Sequence, residues 1–67
     1  MPKINRLLHE NYEANGKIVV PMDLAKTINV SKSTIYRKLK DNSFTIVEAI
    51  RIQEYWFPDY TLKKLFK

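Results

Sequence analysis

Pro21-Met22-Asp23-Leu24-Ala25-Lys26-Thr27-Ile28-Asn29-Val30-Ser31-Lys32-Ser33-Thr34-Ile35-Tyr36-Arg37-Lys38-Leu39-Lys40 is the stretch that decides the fold. Pro21 suits the first position of a helix, where its missing N–H is not needed. Asp23 in the first turn complements the helix dipole. Leu24, Ala25 and Ile28 supply one buried face. Asn29 tolerates a left-handed backbone and ends this helix. Val30 follows as an apolar, buried residue. Ser31 can then accept an orphan N–H from Ser33 or Thr34 and cap a second helix reaching about Lys40. In that helix Ile35 and Leu39, four apart, point inward. Lys32, Ser33, Tyr36, Arg37 and Lys40 point outward by the same periodicity.

Two short helices with a three- or four-residue turn around Asn29-Val30-Ser31 have the spacing of a helix-turn-helix. Ala25 is small where the two helices must cross closely, and Ile28, Val30 and Ile35 pin the crossing. The geometry suits a duplex. The first helix lies across the backbone, and the second offers its N-terminal half to the major groove.

Working outward, residues 2–14 read as a first helix with an apolar stripe at Ile4, Leu7, Leu8 and Tyr12. Asn15-Gly16 should stop it, with glycine in the left-handed cap. Ile18-Val19-Val20 is too short to form a sheet without a partner and reads as a connector that plugs the core. Asp41-Asn42-Ser43 is a polar turn. Thr45-Ile46-Val47-Glu48 matches a capping box, and Phe44 before it can staple onto Ala49. In the helix that follows, Ile46, Ala49, Ile50 and Gln53 or Tyr55 are expected to line the inward face, up to Trp56-Phe57. Pro58 ends it. Leu62, Leu65 and Phe66 mark a short closing helix.

Composition narrows the function. The chain has 67 residues, which predicts one domain, residues 1–67. A core this small must stand on packing, because there are no cysteines to form disulfides or thiolate metal sites. A single histidine, His9, cannot build a multi-histidine metal site, and a single glycine, Gly16, cannot build a glycine-rich phosphate loop. Neither a nucleophile nor an acid–base pair can be assembled, so no enzyme, cofactor or metal is expected. No apolar run is long enough to span a bilayer. The first residues lack the apolar core of a secretory signal. The expected compartment is the cytoplasm.

The formal charge is +5. Such a balance calls for a polyanionic partner, nucleic acid before membrane. The charge is concentrated. Residues 21–40 carry Lys26, Lys32, Arg37, Lys38 and Lys40 against Asp23, and residues 31–40 contain no acid at all. A membrane-surface role fits poorly, because the bases cluster on one compact helix.

The segment resembles the Cro/repressor (XRE-like) helix-turn-helix family of phage and bacterial regulators. The resemblance is carried by Leu24-Ala25, by Ile28-Asn29-Val30-Ser31 at the turn, and by Ser33-Thr34-Ile35-Tyr36-Arg37-Lys38-Leu39. A preceding helix, a capped following helix and the tail Phe57-Pro58-Asp59-Tyr60-Thr61-Leu62 extend it over the whole chain. It implies an all-α, five-helix Cro-like domain with the helix-turn-helix, residues 21–40, at its centre. Three positions depart from the family pattern. Asn29 stands where the turn usually has glycine. Val20-Pro21-Met22 replaces the usual polar cap and phosphate-gripping glutamine. Lys38 stands where an apolar residue is usual, a pattern also similar to the Fis-type motif.

The resemblance implies a sequence-specific regulator that binds a double-stranded operator and acts by occlusion, as a Cro-like phage repressor does. It places Lys32, Ser33, Tyr36 and Arg37 at base edges, and Ser31, Lys38 and Lys40 at phosphates. Arg37 would bond a guanine bidentately. A homodimer on half-sites about 10 base pairs apart is implied as well. The aromatic segment Tyr55, Trp56, Phe57, Tyr60 and Phe66 can be read as core or as an exposed interface, since aromatics are enriched at both. The interface reading goes with a second function: a modulator or antirepressor that keeps the fold but acts on another regulator protein.

Overall fold

A computed structural model describes residues 2–67. The elements run α1 (Lys3–His9), β1 (Glu13–Ala14), β2 (Lys17–Ile18), α2 (Pro21–Ile28), α3 (Lys32–Asp41), α4 (Ile46–Trp56) and α5 (Leu62–Phe66). The architecture is mainly helical, but a two-stranded antiparallel hairpin stands between α1 and α2, so the expected all-α domain needs correcting.

The hairpin corrects the reading of the first helix. α1 ends at His9, not at residue 14. Asn11 takes a left-handed backbone (φ 60°). The Tyr12 N–H then returns to the Leu7 carbonyl at 3.1 Å, and the Asn11 N–H to Leu8 at 3.4 Å. This pair of bonds closes the helix as a Schellman motif. Asn15-Gly16 is therefore free to make a two-residue hairpin turn, both residues having positive φ (52° and 79°). That is the requirement of a type I′ turn, for which Asn-Gly is the strongest sequence signal. Glu13 pairs with Ile18 and Ala14 with Lys17, and the Val19 N–H bonds the Tyr12 carbonyl at 2.8 Å. Alternation along this strand buries Val19 and leaves Ile18 and Val20 exposed, so only one of the three residues plugs the core.

The same asparagine closure ends α2 and α3. Asn29 and Asn42 are left-handed, and the next residues, Val30 and Ser43, bond back to Ala25 at 2.9 Å and Lys38 at 3.1 Å. Ala25 is fully buried, as a close helix crossing needs, and α2 packs on both α3 and α4. Val30 is only partly buried against the core. Lys17 forms an ion pair with Asp23, whose carboxylate also accepts the Val20 N–H at 2.9 Å. This carboxylate replaces the missing polar cap of α2. The Asn15 side-chain amide donates to the Tyr55 carbonyl at 2.9 Å and fastens the hairpin to α4.

α4 starts as its sequence indicates. Thr45 Oγ1 accepts the Glu48 N–H at 3.1 Å, and Glu48 Oε1 accepts the Thr45 N–H at 2.9 Å. Its buried face differs from expectation: Ala49, Ile52 and Trp56 point inward. Ile46, Val47, Ile50 and Tyr55 are exposed, Ile46 by 73% and Val47 by 60%. The helix carries two apolar stripes about 100° apart, and Trp56 selects the one facing the core. The indole N–H of Trp56 donates to Thr27 Oγ1 at 2.7 Å, so this large ring is buried with its polar atom satisfied.

Phe57 is fully buried and stacks on Tyr12 with ring centroids 4.9 Å apart. Tyr60 meets both rings edge-on, and Phe66 packs against Phe44 at 5.2 Å. Trp56, Phe57, Tyr60 and Phe66 thus serve the core, which corrects the interface reading. Tyr55 alone of that set stays exposed, because it leaves α4 to one side of the buried stripe. Among the described residues, no helix is long and apolar enough to cross a membrane.

Candidate nucleic-acid interface

α3 takes its shape from ten residues in which only Ile35 and Leu39 are buried. Ser31 Oγ accepts the Thr34 N–H at 3.3 Å and also donates to Thr34 Oγ1 at 2.9 Å. This hydroxyl is occupied as the helix cap, with Ser33 Oγ another 3.3 Å away. The free rim at this end is therefore Lys32 and the outer side of Ser33.

Lys32 sits in the first turn of α3, where no acidic residue accompanies it. A cation there opposes the helix dipole and costs about 0.3–1 kcal/mol. Local rules are broken in this way where function requires it. The unsatisfied N–H groups and the ammonium together make this end strongly electropositive. Tyr36 is 49% exposed, and Arg37 and Lys40 are exposed beside it. None of Lys32, Arg37 or Lys40 pairs with a carboxylate among the described residues. Lys32, Ser33, Tyr36 and Arg37 therefore share one open flank, with Lys40 at its far end.

Lys38 departs from its expected place at a phosphate. Its side chain is only 12% exposed, and its ammonium pairs with Glu48 at 3.0 Å and lies 3.4 Å from the Ser43 carbonyl. The cation locks the C-terminal end of α3 to the N-terminal end of α4. Partial burial pushes the Glu48 carboxyl up. That is the largest single influence, but the Thr45 amide, Lys38 and the Thr45 hydroxyl together outweigh it and hold the carboxyl below its ordinary value. Asp23 is held low in a similar way: burial raises it, while Lys17, the Val20 amide and Lys26 prevail.

Two residues outside the expected site border the same flank. Asn5 and His9 of α1, four apart, form the other wall of a cleft against Tyr36, Leu39 and Lys40. The spacing within α1 could place them on one side of their helix. Nothing in the sequence indicates that this side abuts α3. The Asn5 amide donates to the Leu39 carbonyl at 2.9 Å, and this bond brings the two helices together.

Compared with protein-family models, with characterised proteins and with solved structures, the chain has no match.

Proposed function

We propose that this chain is a sequence-specific, double-stranded DNA-binding transcriptional regulator of the Cro/repressor type, acting in the cytoplasm by occupying an operator. One observation carries the reading. α3 hides Ile35 and Leu39 while its opposite flank offers Lys32, Ser33, Tyr36 and Arg37, uncompensated and exposed. A helix displayed in this way fits a major groove, with Arg37 the residue best shaped for guanine. Lys40 and the capped Ser31 end lie where flanking phosphates would run.

A protein partner has its own support. Ile46, Val47 and Ile50 form an exposed apolar face on α4, the helix whose segment carries least positive charge. A second copy is the occupant we favour, since one short reading helix holds too little DNA alone. Action on another regulator is the competing role for this face.

The test is selection of duplexes from a random pool by the purified chain, followed by gel shifts in a salt series. The expected result is a defined site whose affinity falls steeply with salt. Arg37→Ala should cost about 1–3 kcal/mol and relax preference at one base pair. Arg51→Ala, on the outer side of α4, should leave the shift unchanged. If no duplex is enriched, yet the chain alters a shift made by another regulator, the modulator role replaces this one.

A further inference from the structure

A reading helix keeps its register only if phosphates on its flanks are gripped, and an account of the donors around α3 leaves few free. The N-terminal end of α2 is closed by its own Asp23 carboxylate, and Pro21 lacks an N–H. Lys38 is bound to Glu48, and the Asn42 amide donates to the Phe66 carbonyl at 2.6 Å. Among the donors left are Lys40 and His9, beyond the base-facing flank, and the Tyr36 hydroxyl at its edge. These three converge on the cleft between α1 and α3, whose volume is about 400 Å³. No carboxylate lines it. Leu8, Leu39 and Pro21 supply its apolar lining.

A second observation comes from the cleft wall. The Asn5 amide is spent on Leu39, and its Oδ1 is buried without a hydrogen-bond partner. A buried orphan acceptor is costly and calls for a donor. A phosphate cannot supply one, but a cation drawn in by a phosphate can, since an ammonium carries three donors.

We propose that this cleft seats a phosphodiester of the duplex backbone, held by the Lys40 ammonium and the His9 N–H, with Tyr36 Oη at its edge. This rests on the DNA-binding reading and adds its missing anchor. Lys40, which lines the same cleft, carries three donors and can serve the phosphate and Asn5 Oδ1 together. His9 contributes an N–H in either protonation state.

The experiment uses the full chain and its selected duplex, with affinity followed by fluorescence anisotropy across a salt series. His9→Glu should weaken binding about tenfold near 0.1 M salt, and Lys40→Gln should reduce the salt slope by about 1. His9→Gln, which keeps an N–H, should stay within about threefold of the parent. Lys63→Gln, at an exposed position of α5, is the control for net charge alone. Titration with duplex should move the Asn5 side-chain amide resonances. Inorganic phosphate should compete with the duplex more strongly than chloride at equal ionic strength.

If His9→Glu and Lys63→Gln weaken binding equally while Arg37→Ala still relaxes preference at one base pair, the seat is overturned and the DNA reading stands. Phosphate that shifts Asn5 and His9 without displacing duplex also overturns the seat, because the cleft would then serve a free anion. If the parent chain binds no duplex, both fall.

Discussion

Helices α3 and α4 begin alike and present opposite surfaces. Each is capped by a hydroxyl, Ser31 or Thr45, and they have ten and eleven residues. Each buries a narrow apolar stripe. Outward, α3 shows lysine, arginine, serine and tyrosine, whereas α4 shows Ile46, Val47 and Ile50. The inward faces follow one rule, because a single core accepts only apolar groups of the right shape. The outward faces are free of that rule, and our proposal rests on their difference: a polyanion for one, a second copy for the other.

The comparison can be broken most severely from inside. Ile35 and Ile52 are both fully buried, one on each helix. Replacing either by alanine should cost about 2–5 kcal/mol, read by urea denaturation. A loss at one site alone would show that the two inward faces are not equivalent.

The outer face of α4 tests the other half. Ile46→Asp with Ile50→Asp should weaken self-association at least about tenfold by sedimentation. At dilutions where the parent is monomeric the thermal midpoint should hold, because neither side chain belongs to the core. If association is untouched, this face does not join two copies.

The smallest effect lies where the helices meet. Glu48 and Asp23 are both held below their ordinary carboxyl values. Their contribution is complete above those values and is lost as pH falls through the lowered ones. Thermal melts should therefore be flat from neutrality to about pH 5 and decline below about pH 4. Lys38→Met should flatten the acid decline and lower the neutral midpoint by no more than about 4–8 °C, the equivalent of about 1 kcal/mol.

Much of this was legible from residues. The Pro21 start, the Asn29 stop, the Ser31 cap, the Thr45–Glu48 box and the inward Ile35 and Leu39 are local features, and local chemistry decided them. Misreadings came where distant residues chose between two local options. Asn15-Gly16 could cap a helix or turn a hairpin, and closure at Asn11 made it the hairpin. α4 could bury Ile46 and Ile50 or Ile52 and Trp56, and the Thr27 hydroxyl waiting for the indole favours the second pair. At the candidate site the exposed flank of α3 followed from periodicity. The withdrawal of Lys38 did not, because Glu48 reaches it from another helix. The cleft with Asn5 and His9 was equally hidden, since it exists only once α1 lies beside α3.

Among the described residues, every one other than glycine with a positive φ is an asparagine: 11, 15, 29 and 42. Glycine would bend the main chain there with less strain, but it would have nothing left to hold with. The amides of Asn15 and Asn42 reach carbonyls 40 and 24 positions away in sequence. Two of the chain's corners are thus also its clasps, so remote parts of a very small body are fastened by the same residues that steer it locally.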